Sequence, residues 1–248
     1  MAASAIAVTV VLDFMCPWSY IGLKSLDVAM ARWKQRQQQA AAPGSQFRIE
    51  FVPFEFDPPG TYPPEGTDWT EYCRGYGPAK ARFLLEQKLP AAFALGHKLG
   101  IEFKLERRIV GTEAVNAALL AAQEKSRGMA FALRMLREHF ELLHDPNEPQ
   151  LLAAAMSELG VPADAAMQPG PARAARNVAL TQRGRAMSGG SVPHFVVKCD
   201  GDPGGGDVAA ATPGGPTSPE FFEQVFAECE KRADAARGAA QAGLGGEL

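Results

Sequence analysis

The stretch that most constrains this chain is VTVVLDFMCPWSYIG, residues 8–22, where a β-branched apolar run passes through one cysteine and one proline into a helical pattern. Residues 8–14 have strand length and do not alternate, which predicts a strand buried on both faces. Leu23, Leu26, Met30 and Trp33 then recur at helical spacing. Proline favours the first position of a helix, so Pro17 opens this one and Cys16 becomes its N-cap. AAAPGS at 40–45 ends the helix, and FRIEFVPF at 47–54 alternates as a second strand. A β-α-β unit therefore begins the fold, with the cysteine at its first turn.

DPPGTYPPEGT (57–67) is a proline- and glycine-rich connection, and helical patterns follow for more than a hundred residues. Thr112 caps a helix through AVNAALLAAQ. Met129, Leu133, Leu136, Phe140 and Leu143 recur at spacings of four and three, and PQLLAAAMSELG ends on Gly160 as a helix with a C-terminal glycine does. A further helix is expected over 172–186, with Arg173, Arg176 and Arg183 on a solvated face. Strand character returns at VPHFVVK (192–198). DGDPGGGDVAAATPGGP (200–216) reads as a mobile loop. Its aspartates lack the glutamate of an EF-hand loop, so no metal site is expected. Ser218 and Pro219 open a last helix carrying Phe222, Val225, Phe226 and Cys229, and residues 236–248 read as a flexible tail.

Hydrophobic residues make up 46% of the 248, enough for a substantial core, while the net charge of −3 argues against nucleic acid as a partner. No apolar run has membrane-spanning length, and the apolar start lacks the basic region and cleavage room of a signal peptide. Cys16, Cys73, Cys199 and Cys229 lie far apart in sequence and do not suggest a disulfide framework. A reducing, cytoplasmic location is the expectation.

Cys16 is the leading candidate for chemistry. A helix N-cap aims its side chain at the free N–H groups of the next residues, here Trp18 and Ser19, and these with the helix dipole favour a thiolate. The thiol is therefore expected to be more acidic than a free cysteine, with the Ser19 hydroxyl as a further donor. Trp18 and Tyr20 flank it and are candidates for lining a groove. Cys73, in EYCRGYG, and Cys199 read as small buried hydrophobes. His194, entering a strand, reads as packed rather than catalytic.

DFMCPWSYIG resembles the D-x-x-C-P-W-C-Y-I-G opening of the DsbA-like thioredoxin family, in particular its FrnE-like branch. GGSVPHFVV (189–197) is similar to that family's later G-V-x-G-V-P-x-F-V segment, and GGPTSPEFFEQVF to its closing helix. The resemblance spans about residues 6–232. It implies an α/β, thioredoxin-like fold over 6–62 and 187–235, interrupted by an all-helical subdomain at 65–185. It also implies a cis Val192–Pro193 bond beside Cys16, with Pro17, Trp18, Val192 and Pro193 binding substrate through side chains and the Val192 backbone. Ser19 departs from the pattern, and Asn116, in GTEAVN, stands where histidine is common.

Serine cannot close a disulfide with Cys16, so an outside thiol must finish any exchange. The resemblance thus implies a monothiol oxidoreductase or isomerase acting through Cys16 and Ser19, with glutathione as co-substrate and no tightly bound cofactor. Kappa-class glutathione transferases and 2-hydroxychromene-2-carboxylate isomerases share the insertion topology and carry serine where Cys16 stands. A glutathione-dependent transferase or isomerase is accordingly an alternative, and a non-catalytic binding module is another. A homodimer is the candidate assembly.

Overall fold

The computed structural model of the protein describes residues 5–40, 45–58, 60–162, 171–199, 209–211 and 218–244. The chain begins with β1 (Ala5–Leu12), α1 (Pro17–Gln39) and β2 (Gln46–Pro53). It continues through β3 (Thr67–Asp68), α2 (Trp69–Gly75), α3 (Pro78–Arg82), a π-helical stretch (Phe83–Lys88) and α4 (Leu89–Lys98). Next come β4 (Arg108–Ile109), α5 (Glu113–Glu124), α6 (Gly128–Phe140), α7 (Pro149–Glu158) and α8 (Pro171–Ser188). β5 (His194–Cys199), β6 (Ala209–Ala211) and α9 (Pro219–Leu244) close it.

The main sheet has the order β2-β1-β5-β6, with β1 parallel to β2 and antiparallel to β5. A central position explains the unbroken apolar run of β1: Ile6, Val8, Val10 and Leu12 enter the large core, and Val11 enters a smaller one with Val52, Phe54 and Val192. On the first face, Trp33 of α1 packs edge-on to Phe226 of α9, and Phe195 of β5 packs on Phe222. On the second face α8 lies against β1 and β2, with Gly184 close to the Pro53 carbonyl and Val11.

The insertion is helical as expected, with β3 and β4 pairing as a short antiparallel ribbon inside it. Other expectations are corrected. Within 200–216, residues 209–211 form β6 against β5, and the rest of that stretch lies outside the described residues. Residues 236–244 continue α9 instead of starting a tail. Leu143 falls outside α6 at φ +63°; the buried stripe of that helix is Phe131, Ala132, Met135, Leu136, His139 and Phe140. The expected solvated face of α8 holds: Arg176 and Arg183 are exposed and pair with Glu124 and Glu50, while the Arg173 side chain lies outside the described ones.

Cys199 is no simple hydrophobe. It is disulfide-bonded to Cys229 with Cα atoms 5.3 Å apart, tying the end of β5 to α9. Thirty residues separate the two in sequence, and they meet because α9 packs along β5, with Phe195 on Phe222 at one end and Cys199 on Cys229 at the other.

Where α1 passes over the start of β5, Gly22 leaves room for the side chains of Pro193 and Phe195. A Cβ on Gly22 would lie 2.9 Å from the Phe195 ring and 3.0 Å from Pro193 Cγ. Alanine is the better helix former by about 1 kcal/mol, but overpacking a core costs roughly 1–3 kcal/mol. Gly22→Ala is therefore expected to lower the urea midpoint, and an unchanged or raised midpoint would refute the close approach.

Candidate thiol site

The residue after a buried strand that must enter a helix sits at a turn, and here that residue is Cys16. It occupies the N-cap of α1 with extended backbone, φ −92° and ψ 115°, and Pro17 follows at the first helical position. The turn is held by Asp13. Its Oδ1 accepts the Met15 N–H at 2.6 Å and its Oδ2 accepts the Phe56 N–H at 3.1 Å, fastening the loop after β1 to the loop after β2. Ser19 closes the same turn from the helix side, its Oγ accepting the Asp13 N–H at 3.2 Å.

Cys16 is 7% exposed, and its S–H donates to the Val192 carbonyl at 3.6 Å. The Val192–Pro193 bond is cis. Cys16, Pro17, Trp18 and Val192 all line one cavity of about 400 Å3. Ser19 and Pro193 do not: Ser19 is fully buried beneath the thiol, and Pro193 packs under Gly22. His194 fills a register position opposite Val11 and does not line the cavity either. Of the aromatic pair beside the thiol, Trp18 faces the cavity. Tyr20 packs between Phe103 and Phe140 and donates its hydroxyl to Glu141 at 2.5 Å. Cys199 lies opposite Ile6, at the end of β1 away from Cys16, so it cannot serve as a resolving thiol.

The insertion supplies the opposite wall. Trp69 and Tyr72 of α2 and Tyr76 just after it line the cavity, joined by Tyr62 and by Phe83 of the π-helical stretch. The Tyr62 and Tyr72 hydroxyls both donate to Asp57, and Tyr72 and Tyr76 share a hydrogen bond of 2.5 Å, which fixes the rings. Glu55, Asp57 and Glu113 bring carboxylates to the cavity, and Asn116 holds Glu55 through Nδ2 at 2.9 Å. Lys80 and Lys88 also line it and lie over aromatic faces, Lys80 3.9 Å from the Tyr76 ring and Lys88 5.7 Å from the Trp18 ring. None of this wall was singled out from the sequence. The readable signal was the i, i+3, i+7 spacing of Trp69, Tyr72 and Tyr76 behind the proline-rich connection.

Electrostatics overturn one expectation. Burial, and then the nearby Asp13 carboxylate, push the Cys16 thiol up to about 11 instead of down. The Ser19 amide and hydroxyl and the Trp18 amide act in the opposite direction but do not prevail. Asp13 is itself raised to about 7, chiefly by burial, against the two amides that stabilise its charge. Among the described residues no group of histidines, cysteines and carboxylates could hold a metal ion, and no helix is long and apolar enough to cross a membrane.

A cysteine at the first helix of a β-α-β unit, facing the residue before a cis-proline, defines a thioredoxin-fold thiol site. The DSBA-like thioredoxin domain matches residues 7–227, and the chain belongs to that family. Its fold is shared with a probable DsbA oxidoreductase from Streptomyces coelicolor at 21% identity and TM-score 0.67, covering 91% of this chain and 90% of that one. It is also similar to the cytosolic disulfide reductase DsbM from Pseudomonas aeruginosa (18% identity, TM-score 0.53, 96% and 98% covered). A 2-hydroxychromene-2-carboxylate isomerase has TM-score 0.52 at 14% identity, covering 76% and 84%. No curated protein matches the sequence.

Asp13 generates a pH prediction. Its folded pKa lies above its ordinary 3.8, so the folded state holds the proton more tightly than the unfolded chain. Its contribution is fully present below about pH 4 and is lost as pH rises through about 7. Relative to wild type, Asp13→Asn should gain on the order of 4 kcal/mol between those limits, measured by denaturant unfolding at a series of pH values. A difference independent of pH would refute the raised pKa.

Proposed function

We propose that the protein is a monothiol oxidoreductase in which Cys16 exchanges disulfides with glutathione. The observation that carries the reading is that Cys16 is the one cysteine among the residues lining the cavity. The Cys16 thiolate attacks one sulfur of a glutathione mixed disulfide. A new Cys16–glutathione bond forms, the old S–S bond breaks, and the other half leaves as a thiolate that takes up a proton. A second glutathione thiolate then attacks the adduct, releasing oxidised glutathione and restoring Cys16. Ser19 cannot provide that second attack internally, so it acts as a hydroxyl donor to the sulfur and as an anchor for Asp13. Pro17, Trp18 and Val192 shape the substrate side, and Pro193 supports the Val192 backbone from behind.

The cavity supports a small zwitterionic thiol. Lys80 and Lys88 suit the carboxylates of glutathione, and Glu55, Asp57 and Glu113 suit its ammonium group. One structure similar to this chain is the reductase DsbM solved with glutathione, at 16% identity and TM-score 0.50. A cytoplasmic location fits a step that consumes reduced glutathione, and the Cys199–Cys229 pair lies at the far end of the sheet from that chemistry.

A second reading has its own support. The aromatic wall of Tyr62, Trp69, Tyr72, Tyr76 and Phe83 suits an aromatic electrophile, as a glutathione transferase or isomerase of the kappa type would require. Cys16 would then hold the thiolate of glutathione without becoming covalently bound.

Turnover of a glutathione–hydroxyethyl mixed disulfide, followed through oxidised glutathione, tests the proposal. Wild type should turn over and Cys16→Ser should not. Conjugation of an electrophilic aromatic substrate that survives Cys16→Ser would favour the transferase. Ser19→Cys places a second thiol one turn from the first, and this variant should gain insulin reduction with dithiothreitol where wild type has little. Equal insulin reduction by both proteins would show that Ser19 is not what separates this site from a dithiol enzyme.

A further inference from the structure

The basic side chains lining the cavity that holds Cys16 are Lys80 and Lys88, and both come from the helical run of α3, the π-helical stretch and α4. Neither has a carboxylate partner among the described residues. Arg82, Arg107 and Arg108 of the same insertion are engaged or enclosed. Arg82 pairs with exposed Glu86, and Arg108 donates to the Glu65 and Gly66 carbonyls. Arg107 is 1% exposed, lies 4.0 Å from the ring centre of Trp69 and does not line the cavity.

The two lysines are not equivalent. Lys80 is exposed and lies over Tyr76, which is exposed as well. Lys88 is half-buried, its Nζ 5.5 Å from the ring centre of Phe83 and 5.7 Å from that of Trp18, which follows Cys16 and Pro17 at the start of α1. The backbone sets this difference. In an α-helix of about 3.6 residues per turn, side chains five apart point roughly 140° away from each other. Here the Leu89 N–H donates to the Leu84 carbonyl, five residues back, so the turn is widened and Phe83 and Lys88 come to one side. Pro90 gives a reason for the widening: it has no N–H, and in an α-helix its ring would strike the Glu86 carbonyl.

Glutathione carries two carboxylates of different character. The one on its γ-glutamyl end has an ammonium beside it, which suits a cavity holding Glu55, Asp57 and Glu113. The one on its glycine stands alone and is nearer the sulfur along the covalent chain. A lone cation beside the helix that carries the nucleophile suits the second. We propose that Lys88, brought to Phe83 and Trp18 by the π turn, is a specificity-determining residue that receives the glycine carboxylate and so selects disulfides bearing that charge. The inference rests on glutathione being the partner of Cys16, and it fixes how the tripeptide lies: glycine toward Lys88, the γ-glutamyl group toward the acidic residues. The two rings hold the ammonium in place, so less freedom is lost when the carboxylate arrives.

The test compares, by calorimetry, the binding of S-methylglutathione, which cannot exchange, with that of its glycine ethyl ester, which lacks the charge. Wild type should bind the ester about tenfold more weakly than the acid. Lys88→Met should lose that factor on the acid and bind the two alike, whereas Lys88→Arg and Lys80→Met should keep the preference. A packing defect alone would weaken both ligands together and leave their ratio unchanged. Gln87→Lys in the Lys88→Gln protein tests the π turn. In an α-helical register residue 87 would sit below Phe83, so a restored preference overturns the π-helical placement. A wild type that binds neither ligand, or both equally, overturns the inference, as does a folded Lys88→Met that still prefers the acid. A preference that depends on Lys88 in a protein that turns over no glutathione disulfide overturns the exchange reading and leaves this one standing.

Discussion

The S–H of Cys16 donating to the Val192 carbonyl joins the two halves of the site, the N-terminus of α1 and the chain as it enters β5. The rest of the arrangement keeps these two points together. β1 delivers Cys16 by running through the middle of the sheet, and its antiparallel pairing with β5 sets His194 opposite Val11, which leaves Val192 beside the turn. Asp13 ties that turn to the loop after β2, and Gly22 lets α1 come down onto Pro193 and Phe195. The insertion then roofs the sulfur with aromatic rings, turning an exposed turn into a cavity.

Roofing the sulfur decides its chemistry. A helix N-terminus contributes roughly 0.3–1 kcal/mol to a nearby anion, whereas the rise of the thiol from 9.0 to about 11 corresponds to roughly 3 kcal/mol. Burial wins by a wide margin. The same enclosure strengthens the Asp13 carboxylate buried beside the sulfur, which is why it matters more here than a surface charge would. The helix dipole is a smaller influence than burial.

The opening β-α-β unit, the N-cap at Cys16, the caps at Thr112 and Gly160 and the late strand were legible because each is written in local periodicity or in one capping residue. The closeness of Cys16 to Val192 was legible only through the likeness of two motifs to a known family, since 176 residues separate the two in sequence. What stayed hidden depends on neighbours distant in sequence. Asp13 carries no local mark of its role, because a carboxylate beside a strand end looks the same whether buried or exposed. Arg107 sits in ERRIVG, where nothing local marks one arginine as buried and the next as exposed. Cys199 and Cys229 became partners only through the fold of β5 and α9. The expected acidity of Cys16 failed for the same reason: the N-cap was visible, and the wall that buries it was not.

The central claim is that Cys16 is a working nucleophile with no internal partner. Intact mass after incubation with oxidised glutathione, wild type beside Cys16→Ser, tests it most directly. The account predicts one glutathione on the wild type, mapped to Cys16 and removed by reduced glutathione, and none on the variant. A folded wild type that takes up no glutathione, or a Cys16→Ser protein that takes up as much, would contradict it.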